Sequence, residues 1–159
     1  MPETSESLDL DACRRVASTC AYFNVKRATR VLGEVYDREL RPFGIAGTQF
    51  SVLVAMALLG EPTVGRLAEV IGADRTTMSR ALRPLERDGW IESAAGLTDH
   101  RERRARLTEA GEERLVLAIH AWERAQRLVA AAMGDADLSA LLAGAKRVHA
   151  IAPRLLAGR

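Results

Sequence analysis

The sequence predicts a mainly helical fold with one short β-hairpin. Apolar residues make up 48% of the 159 residues, which indicates a globular chain with a real core. Aromatic residues are only 4% of the chain, whereas Ala and Leu are abundant. Ala and Leu favour helices because they lose little conformational freedom in them. Two short segments near residues 90 and 107 flank a polar loop, and this pattern predicts the hairpin.

The first half of the chain predicts two long helices. Apolar residues recur at helical spacing over residues 9–40, so we expect one continuous helix there, broken by Pro42 and Gly44. A second helix is predicted to begin near Thr48, whose hydroxyl can cap it, and to run to Gly60. The second helix is apolar nearly all round, so we expect it to be buried.

Two helices joined by a tight turn come next. The first is predicted over Val64–Ile71 and ends at Gly72. Asp74 can cap the second, which reaches about residue 88 before Gly89 stops it. A short helix, a three-residue turn and a longer helix have the spacing of a helix-turn-helix.

The hairpin and two further helices complete the prediction. Residues 90–92 and 105–107 are expected to form the strands. Thr108 can cap a long fifth helix, and Gly134 separates it from a sixth, which Pro153 should end or kink. The predicted apolar stripe of the fifth helix consists of Leu115, Ile119, Trp122, Val129 and Met133.

The second helix of the helix-turn-helix has two chemically different faces. Its apolar face would pack on the preceding helix. Its other face carries no acid, and its Arg, Thr and Ser residues are Arg75, Thr76, Thr77, Ser79, Arg80 and Arg83. Arg can pair bidentately with guanine, Thr and Ser can reach phosphates or base edges, and the helix N-terminus favours phosphate. These features predict a helix that reads the major groove, with a bend at Pro84.

The loop of the hairpin is strongly basic. Residues 101–106 contain four arginines against one glutamate. Asp99 is near enough in sequence to hold Arg101 or Arg103 by an ion pair, and a free arginine at the tip could enter the minor groove. Helix-turn-helix and basic hairpin together predict a winged helix-turn-helix. The acids Glu69, Glu86 and Asp88 are interpreted as solvated helix charges.

Three segments of the chain together resemble the MarR-type transcriptional regulators. They are YDRELRPFGIAGTQFSVL (residues 36–53), TVGRLAEVIGADRTTMSRALRPLERDGWI (63–91) and DHRERRARLTEAG (99–111). The resemblance extends from about Cys20 to Leu156. It implies a winged helix-turn-helix with N- and C-terminal dimerisation helices, placed here in residues 1–46 and 108–159. The DNA-binding part would be residues 47–107.

The same resemblance implies how the protein would work. It implies a homodimer that regulates transcription by binding double-stranded DNA, and we expect a repressor that binds a palindromic site. Two-fold symmetry requires half-sites about one helical turn, roughly 34 Å, apart. The DNA contacts carried over by position come from Arg75, Thr76, Thr77, Ser79, Arg80 and Arg83, and from Arg101 or Arg103 with Asp99 as a brace. Family members are commonly released from DNA by a small ligand or by thiol oxidation.

The two cysteines, Cys13 and Cys20, leave both modes of release open. On one continuous helix, seven residues place their Cα atoms about 10 Å apart, beyond the 7 Å or so that a disulfide spans. A redox switch would therefore need a bond between subunits or sulfenic acid formation. Relatives often carry a second thiol where this chain has Tyr22, so we favour a small ligand in a cleft between the dimerisation helices and the winged domain. Its candidate lining residues are Val16, Phe23, Met56 and Trp122.

Other classes of function find less support in the sequence. There is no nucleophile elbow, no Gly-rich phosphate loop and no His-Glu-x-x-His helix, so no enzyme, metal or cofactor is predicted. A winged helix used only for protein contact remains the alternative, but it should expose apolar residues where this chain is basic. No run of 18 apolar residues predicts a membrane span. The acidic N-terminal segment lacks the pattern of a secretory signal, and we expect a cytoplasmic protein.

Overall fold

The computed structural model describes residues 8–95 and 103–157, and it shows the mainly helical fold with a hairpin that the sequence predicts. The elements, in chain order, are α1 (Leu10–Thr19), α2 (Ala21–Leu40), a 3-10 turn (Arg41–Phe43), α3 (Gly47–Leu59), α4 (Val64–Ile71), α5 (Arg75–Arg87), β1 (Ile91–Ala95), β2 (Arg103–Leu107), α6 (Glu109–Met133) and α7 (Asp135–Leu156).

The predicted continuous helix over residues 9–40 is wrong, because the backbone breaks at Cys20. Cys20 is extended, with φ −68° and ψ 112°, and it ends α1 and begins α2. Its Sγ accepts from the backbone N–H of Phe23 at 3.5 Å. The side-chain amide of Asn24 donates to the carbonyl oxygens of Ala17 (3.1 Å) and Cys20 (2.9 Å). The bonds to the Phe23 N–H and to the Ala17 carbonyl oxygen satisfy backbone groups at the break, while the Cys20 carbonyl oxygen also accepts from the backbone N–H of Asn24 at 3.1 Å.

The start of α3 also differs from the prediction. The helix begins at Gly47 and is not capped by Thr48. Instead, Asp37 of α2 accepts from the backbone N–H of Gly47 at 2.6 Å, and Gln49 accepts from the N–H of Ala46 at 2.9 Å. A carboxylate from the preceding helix therefore supplies the acceptor that we had expected from within α3.

The helix-turn-helix has the predicted boundaries. Thr63 caps α4 by accepting from the backbone N–H of Arg66, and Gly72 ends it in the left-handed region with φ +76°. Asp74 caps α5, which remains helical through Pro84 to its last residue. The core lies where these helices meet α3, β1 and α6, and its fully buried members include Leu53, Met56, Leu67, Met78 and Leu85.

The hairpin packs between α5 and α6. Its strands are antiparallel, and the register pairs Ile91 with Leu107 and Ala95 with Arg103. The carbonyl oxygen of Trp90 accepts from the backbone N–H of Thr108 at 3.1 Å, which ties the start of β1 to the start of α6. The hairpin is therefore joined to a helix at its base, and the connecting loop leaves from the opposite end.

The two long C-terminal helices differ from the prediction in detail. The buried face of α6 is formed mainly by small residues: Gly111, Leu115, Ala118, Ala121, Ala125 and Val129. Ile119 and Trp122, which we had placed on the buried stripe, are 38% and 37% exposed. Small side chains on this face let α2 pack closely against α6. Helix α7 does not end at Pro153, and none of its residues is buried.

Among the described residues, no single helix is long and apolar enough to span a membrane. Two pairs of helices, 21–43 with 47–59 and 109–133 with 135–156, would have the length and composition if taken together, but each pair is sharply bent.

Candidate nucleic-acid interface

The N-terminus of α5 is built around Asp74. Its carboxylate accepts from the backbone N–H of Thr77 at 2.8 Å and from the Thr77 hydroxyl at 2.6 Å. The hydrogen bond from the Thr77 side chain is the largest cause of a lowered pKa for Asp74, because it stabilises the charged form. Thr77, predicted as a DNA contact, thus has its hydroxyl committed to the helix cap.

The other two hydroxyls of the predicted face lie differently. Ser79 donates to the carbonyl oxygen of Arg75 at 2.8 Å, one turn back along the helix. Thr76 is exposed. A hydroxyl bonded to its own helix can still accept from an incoming group, because a second lone pair remains.

The arginines of α5 form the exposed basic face. Arg75, Arg80 and Arg83 are exposed. Within residues 8–95 and 103–157, none of the three makes an ion pair with an acid. The opposite side of α5 is seated in the core through Met78 and Leu82, which are 1% and 3% exposed. The core therefore fixes which side of α5 faces outward, and that side carries three cations.

Arg75 lies across the preceding helix. A Cβ atom built on Gly65 of α4 would lie 3.2 Å from both Nε and Nη2 of Arg75. The guanidinium therefore rests against the backbone of α4, in a space that the missing side chain of Gly65 leaves open.

The arginines of β2 have protein partners. Arg103 Nη2 lies 2.7 Å from Oε1 of Glu86, near the C-terminus of α5. Arg104 donates to the carbonyl oxygen of Glu61 at 3.0 Å. Arg106 forms an ion pair with Glu92 of β1. Of the predicted hairpin contacts, the structure describes only Arg103, while Asp99 and Arg101 lie outside the described residues.

Glu86 is the residue that the sequence analysis misjudged. We interpreted it as a solvated charge, but its side chain is 23% exposed and accepts from the Ser93 hydroxyl as well as pairing with Arg103. One signal was available in the sequence. An acid in the last turn of a helix that leads directly into a hairpin is well placed to meet a basic residue on the returning strand.

The cysteines are free thiols, Cys13 exposed and Cys20 half-buried. Helix α1 remains regular through Thr19. Because the break occurs at Cys20 itself, the rise of α1 still separates the two Cα atoms by about 10 Å. The argument against a disulfide within one chain therefore survives the correction of the first helix.

A cleft of about 420 Å³ lies between α2, α3 and α6, where the predicted effector site was placed. Trp122 and Tyr36 line it, and the Tyr36 hydroxyl donates to Gln126 Oε1 at 2.6 Å. Burial raises the pKa of Tyr36. Of the other predicted lining residues, Met56 is fully buried in the core, and Val16 and Phe23 line a separate groove beside α1.

Three similarities to known proteins bear on this surface. A sequence model of the MarR family matches residues 45–102. The transcriptional regulator MosR of M. tuberculosis, solved in complex with DNA, is 36% identical, with a TM-score of 0.77 over 86% of this chain and 98% of that chain. A MarR variant from E. coli, solved with operator DNA, is 18% identical, with a TM-score of 0.75 over 84% of this chain and 96% of that one, and this likeness concerns the fold alone.

A curated relative matches a shorter stretch. The uncharacterized HTH-type transcriptional regulator YwoH of Bacillus subtilis is 27% identical over 90 residues, which are 57% of this chain and 65% of that protein. The chain thus spans slightly less than two thirds of this relative. The family match, the helix-turn-helix and the extent of the similarity to MosR lead to one conclusion: the chain belongs to the MarR family of transcriptional regulators, which are DNA-binding proteins and not enzymes.

Proposed function

We propose that the protein is a cytoplasmic repressor that binds a palindromic double-stranded DNA operator as a homodimer. The observation that carries the proposal is the outward face of α5, where Arg75, Arg80 and Arg83 are exposed and, among the described residues, unpaired. An arginine that already has a protein partner must give it up to bind DNA. Arg80 and Arg83 need not, and Arg75 would only have to leave its position against Gly65. Guanidinium groups suit both guanine edges and phosphates.

The similarity to MosR supports the proposal, because that protein was solved in complex with DNA. Arg80 and Arg83 project from the same face of α5 as Arg75, Thr76 and Ser79. We assign base reading to Arg75 and Arg80. We assign phosphate contacts to Thr76 and to Arg83. The hydroxyls of Thr77 and Ser79 already donate to Asp74 and to the Arg75 carbonyl oxygen, so we assign them only acceptor contacts with donor groups on base edges. Arg101, with Asp99 as its brace, completes the proposed DNA contacts.

The homodimer is supported by what the terminal helices leave exposed. In α1 and α7 no residue is buried, yet both carry large apolar side chains. A groove of about 700 Å³ also opens between α2, α6 and α7. Its apolar lining includes Val31, Val35, Leu128, Met133 and Leu141. A partner that buries these surfaces would give the two-fold symmetry that a palindromic site requires. We therefore assign dimerisation to residues 1–46 and 108–159, and DNA binding to residues 47–107.

Capture and sequencing of genomic DNA bound to the purified protein, followed by footprinting, tests the proposal. Arg80→Ala should weaken binding to the recovered site by about 1–3 kcal/mol and relax the sequence preference at one base pair of each half-site. Arg87→Ala is the matched control, because Arg87 lies on the same helix but is held by Asp88 at 3.0 Å. Absence of any enriched DNA, or equal effects of the two variants, would support the alternative of a winged helix used for protein contact.

Release by a small ligand in the α2–α3–α6 cleft is the mode of regulation that we favour. The cleft lies between the dimerisation helices and the winged part. A ligand that prefers one separation of the two halves would shift DNA affinity by that preference. A Cys13→Ser, Cys20→Ser double variant should still release DNA with a member of a small-aromatic panel. Release by peroxide in the parent that is lost in the double variant, with no response to any compound, would instead establish the thiol route.

A further inference from the structure

We propose that Glu86 is a positioning residue that fixes the hairpin relative to the recognition helix α5. It follows that Arg103 acts through this contact and is not itself a DNA contact. The proposal rests on the proposed DNA-binding function and refines it. One carboxylate oxygen joins three elements, since Glu86 Oε1 on α5 accepts from Ser93 on β1 and pairs with Arg103 Nη2 on β2 at 2.7 Å.

The position of this contact gives it mechanical importance. Arg103 pairs with Ala95 in the last described register position of the hairpin, next to the connecting loop of residues 96–102. Trp90 and Thr108 hold the opposite end of the hairpin against α6. Without Glu86, the backbone pairing of β1 with β2 would remain, but this side-chain link between the loop end of the hairpin and α5 would be lost. The Glu86 contact therefore holds the loop end of the two strands to α5.

Glu86 is the more buried member of the pair, which favours a structural role for its carboxylate. The Glu86 side chain is 23% exposed and that of Arg103 is 58% exposed. An unpaired carboxylate on the recognition helix would repel DNA phosphates. Pairing with Arg103 cancels its charge, and the shared hydrogen bond from Ser93 adds a fixed direction. Arg103 would have to uncover that carboxylate in order to contact a phosphate.

The two roles of Arg103 predict opposite effects of Glu86→Gln, which removes the charge and keeps the shape. If Arg103 contacts DNA directly, the substitution frees a cation and operator binding stays the same or tightens. If Glu86 positions the hairpin, the substitution loosens it and operator binding weakens.

A double-mutant cycle on the recovered operator separates these roles. We expect Glu86→Gln and Arg103→Gln each to weaken binding about fivefold, and the double variant to be no weaker than either single variant. The slope of log Kd against log salt should stay at the parent value in all three. A slope reduced by about one in Arg103→Gln, with parent-like or tighter binding in Glu86→Gln, would overturn the proposal.

Hydrogen–deuterium exchange on the DNA-free protein gives a second readout, independent of operator binding. Glu86→Gln should speed amide exchange in β1 and β2 and leave α4 unchanged. Glu69→Gln is the matched control, because Glu69 is exposed and pairs with Arg66 of its own helix, α4, at 3.0 Å. Unchanged exchange in the hairpin would refute the brace even if the parent bound DNA tightly. A parent that bound no DNA but showed the exchange effect would refute the proposed function and leave the brace standing.

Discussion

The arginines of α5 and those of β2 have the same side chain and opposite surroundings. On α5, Arg80 and Arg83 are exposed and form no ion pair among the described residues. On β2, Arg103 and Arg106 pair with Glu86 and Glu92, and Arg104 donates to a backbone carbonyl. The arginines of α5 are available to an external anion. Those of β2 link the two strands of the hairpin to each other and to neighbouring elements.

The difference shows that counting arginines does not locate a DNA contact. An arginine bound to a carboxylate has lost much of its attraction for phosphate, because the net charge of the pair is zero and the fork of donors is occupied. Four arginines in residues 101–106 made the hairpin a second candidate binding element beside α5. The structure instead leaves more unpaired arginines among the described residues of α5, whose opposite face is anchored in the core.

The largest expected effect comes from a substitution at Gly111, which packs against the backbone between α5 and β1. Gly111 of α6 packs so closely on the end of α5 and the start of β1 that a Cβ there would lie 1.9 Å from the Trp90 carbonyl oxygen. Backbone cannot move aside as a flexible side chain can. Gly111→Ala should therefore lower the free energy of unfolding by about 3 kcal/mol or more, measured by urea denaturation at fixed protein concentration.

Gly33→Ala is the control for the helix itself. Gly33 lies within α2, and a Cβ there would meet no atom within 4 Å. This substitution should stabilise the protein by up to about 1 kcal/mol, since Ala is the better helix former. If Gly111→Ala were as stable as Gly33→Ala, the close packing of Gly111 against Trp90 would be wrong. The position of the hairpin relative to α6, which the comparison of α5 with β2 assumes, would then be wrong as well.

Local signals in the sequence were sufficient for the helix-turn-helix. Thr63 and Asp74 cap helices that begin at the next residue, and Gly72 ends the helix that precedes it. Their roles therefore follow from the neighbouring sequence alone. The start of α3 was missed because its acceptor, Asp37, belongs to the preceding helix. The break at Cys20 was missed because apolar periodicity continues across it, and periodicity does not record where the axis turns.

The candidate site divides in the same way. The outward face of α5 followed from helical spacing alone, because its apolar face had to meet the core. The role of Glu86 did not follow, since its partner Arg103 is 17 residues away and pairs with it only once the hairpin has folded back. The predicted buried stripe of α6 differs from the observed one because the prediction gave more weight to Ile119 and Trp122 than to Ala118 and Ala121. The small alanines allow α2 to approach closely.

A smaller effect concerns the start of the recognition helix. The pKa of Asp74 lies below its ordinary value of 3.8, mainly because the Thr77 hydroxyl donates to it in the folded state. The unfolded chain therefore binds the proton more readily, so the contribution of this cap to stability is complete above that ordinary pKa. It is lost as the pH falls through the lower pKa of the folded state.

Asp74→Asn isolates this term, because Asn is an equally good N-cap that does not titrate. We expect the parent to lose stability more steeply than Asp74→Asn as the pH falls below about 4, since every other carboxylate is shared and cancels in the difference. Urea midpoints of both proteins over a pH series provide the measurement. Parallel curves for the two proteins would show that the Thr77 bond does not perturb Asp74, and that the α5 cap is looser than the structure shows.

The smallest expected effect, at Arg106, separates the two sets of arginines most directly. Arg106 pairs with Glu92 across the hairpin, and both side chains are more than half exposed (59% and 53%). An exposed pair of this kind contributes about 0.2–1 kcal/mol, and less at high salt. Arg106→Gln should therefore lower stability by no more than that, and should leave both operator affinity and its salt slope unchanged. Arg83→Gln is the matched substitution on α5, for which we expect parent stability but weaker DNA binding and a salt slope reduced by about one. If Arg106→Gln reduced the slope as Arg83→Gln does, the pair with Glu92 would open on DNA, and the division between held and available arginines would not survive complex formation.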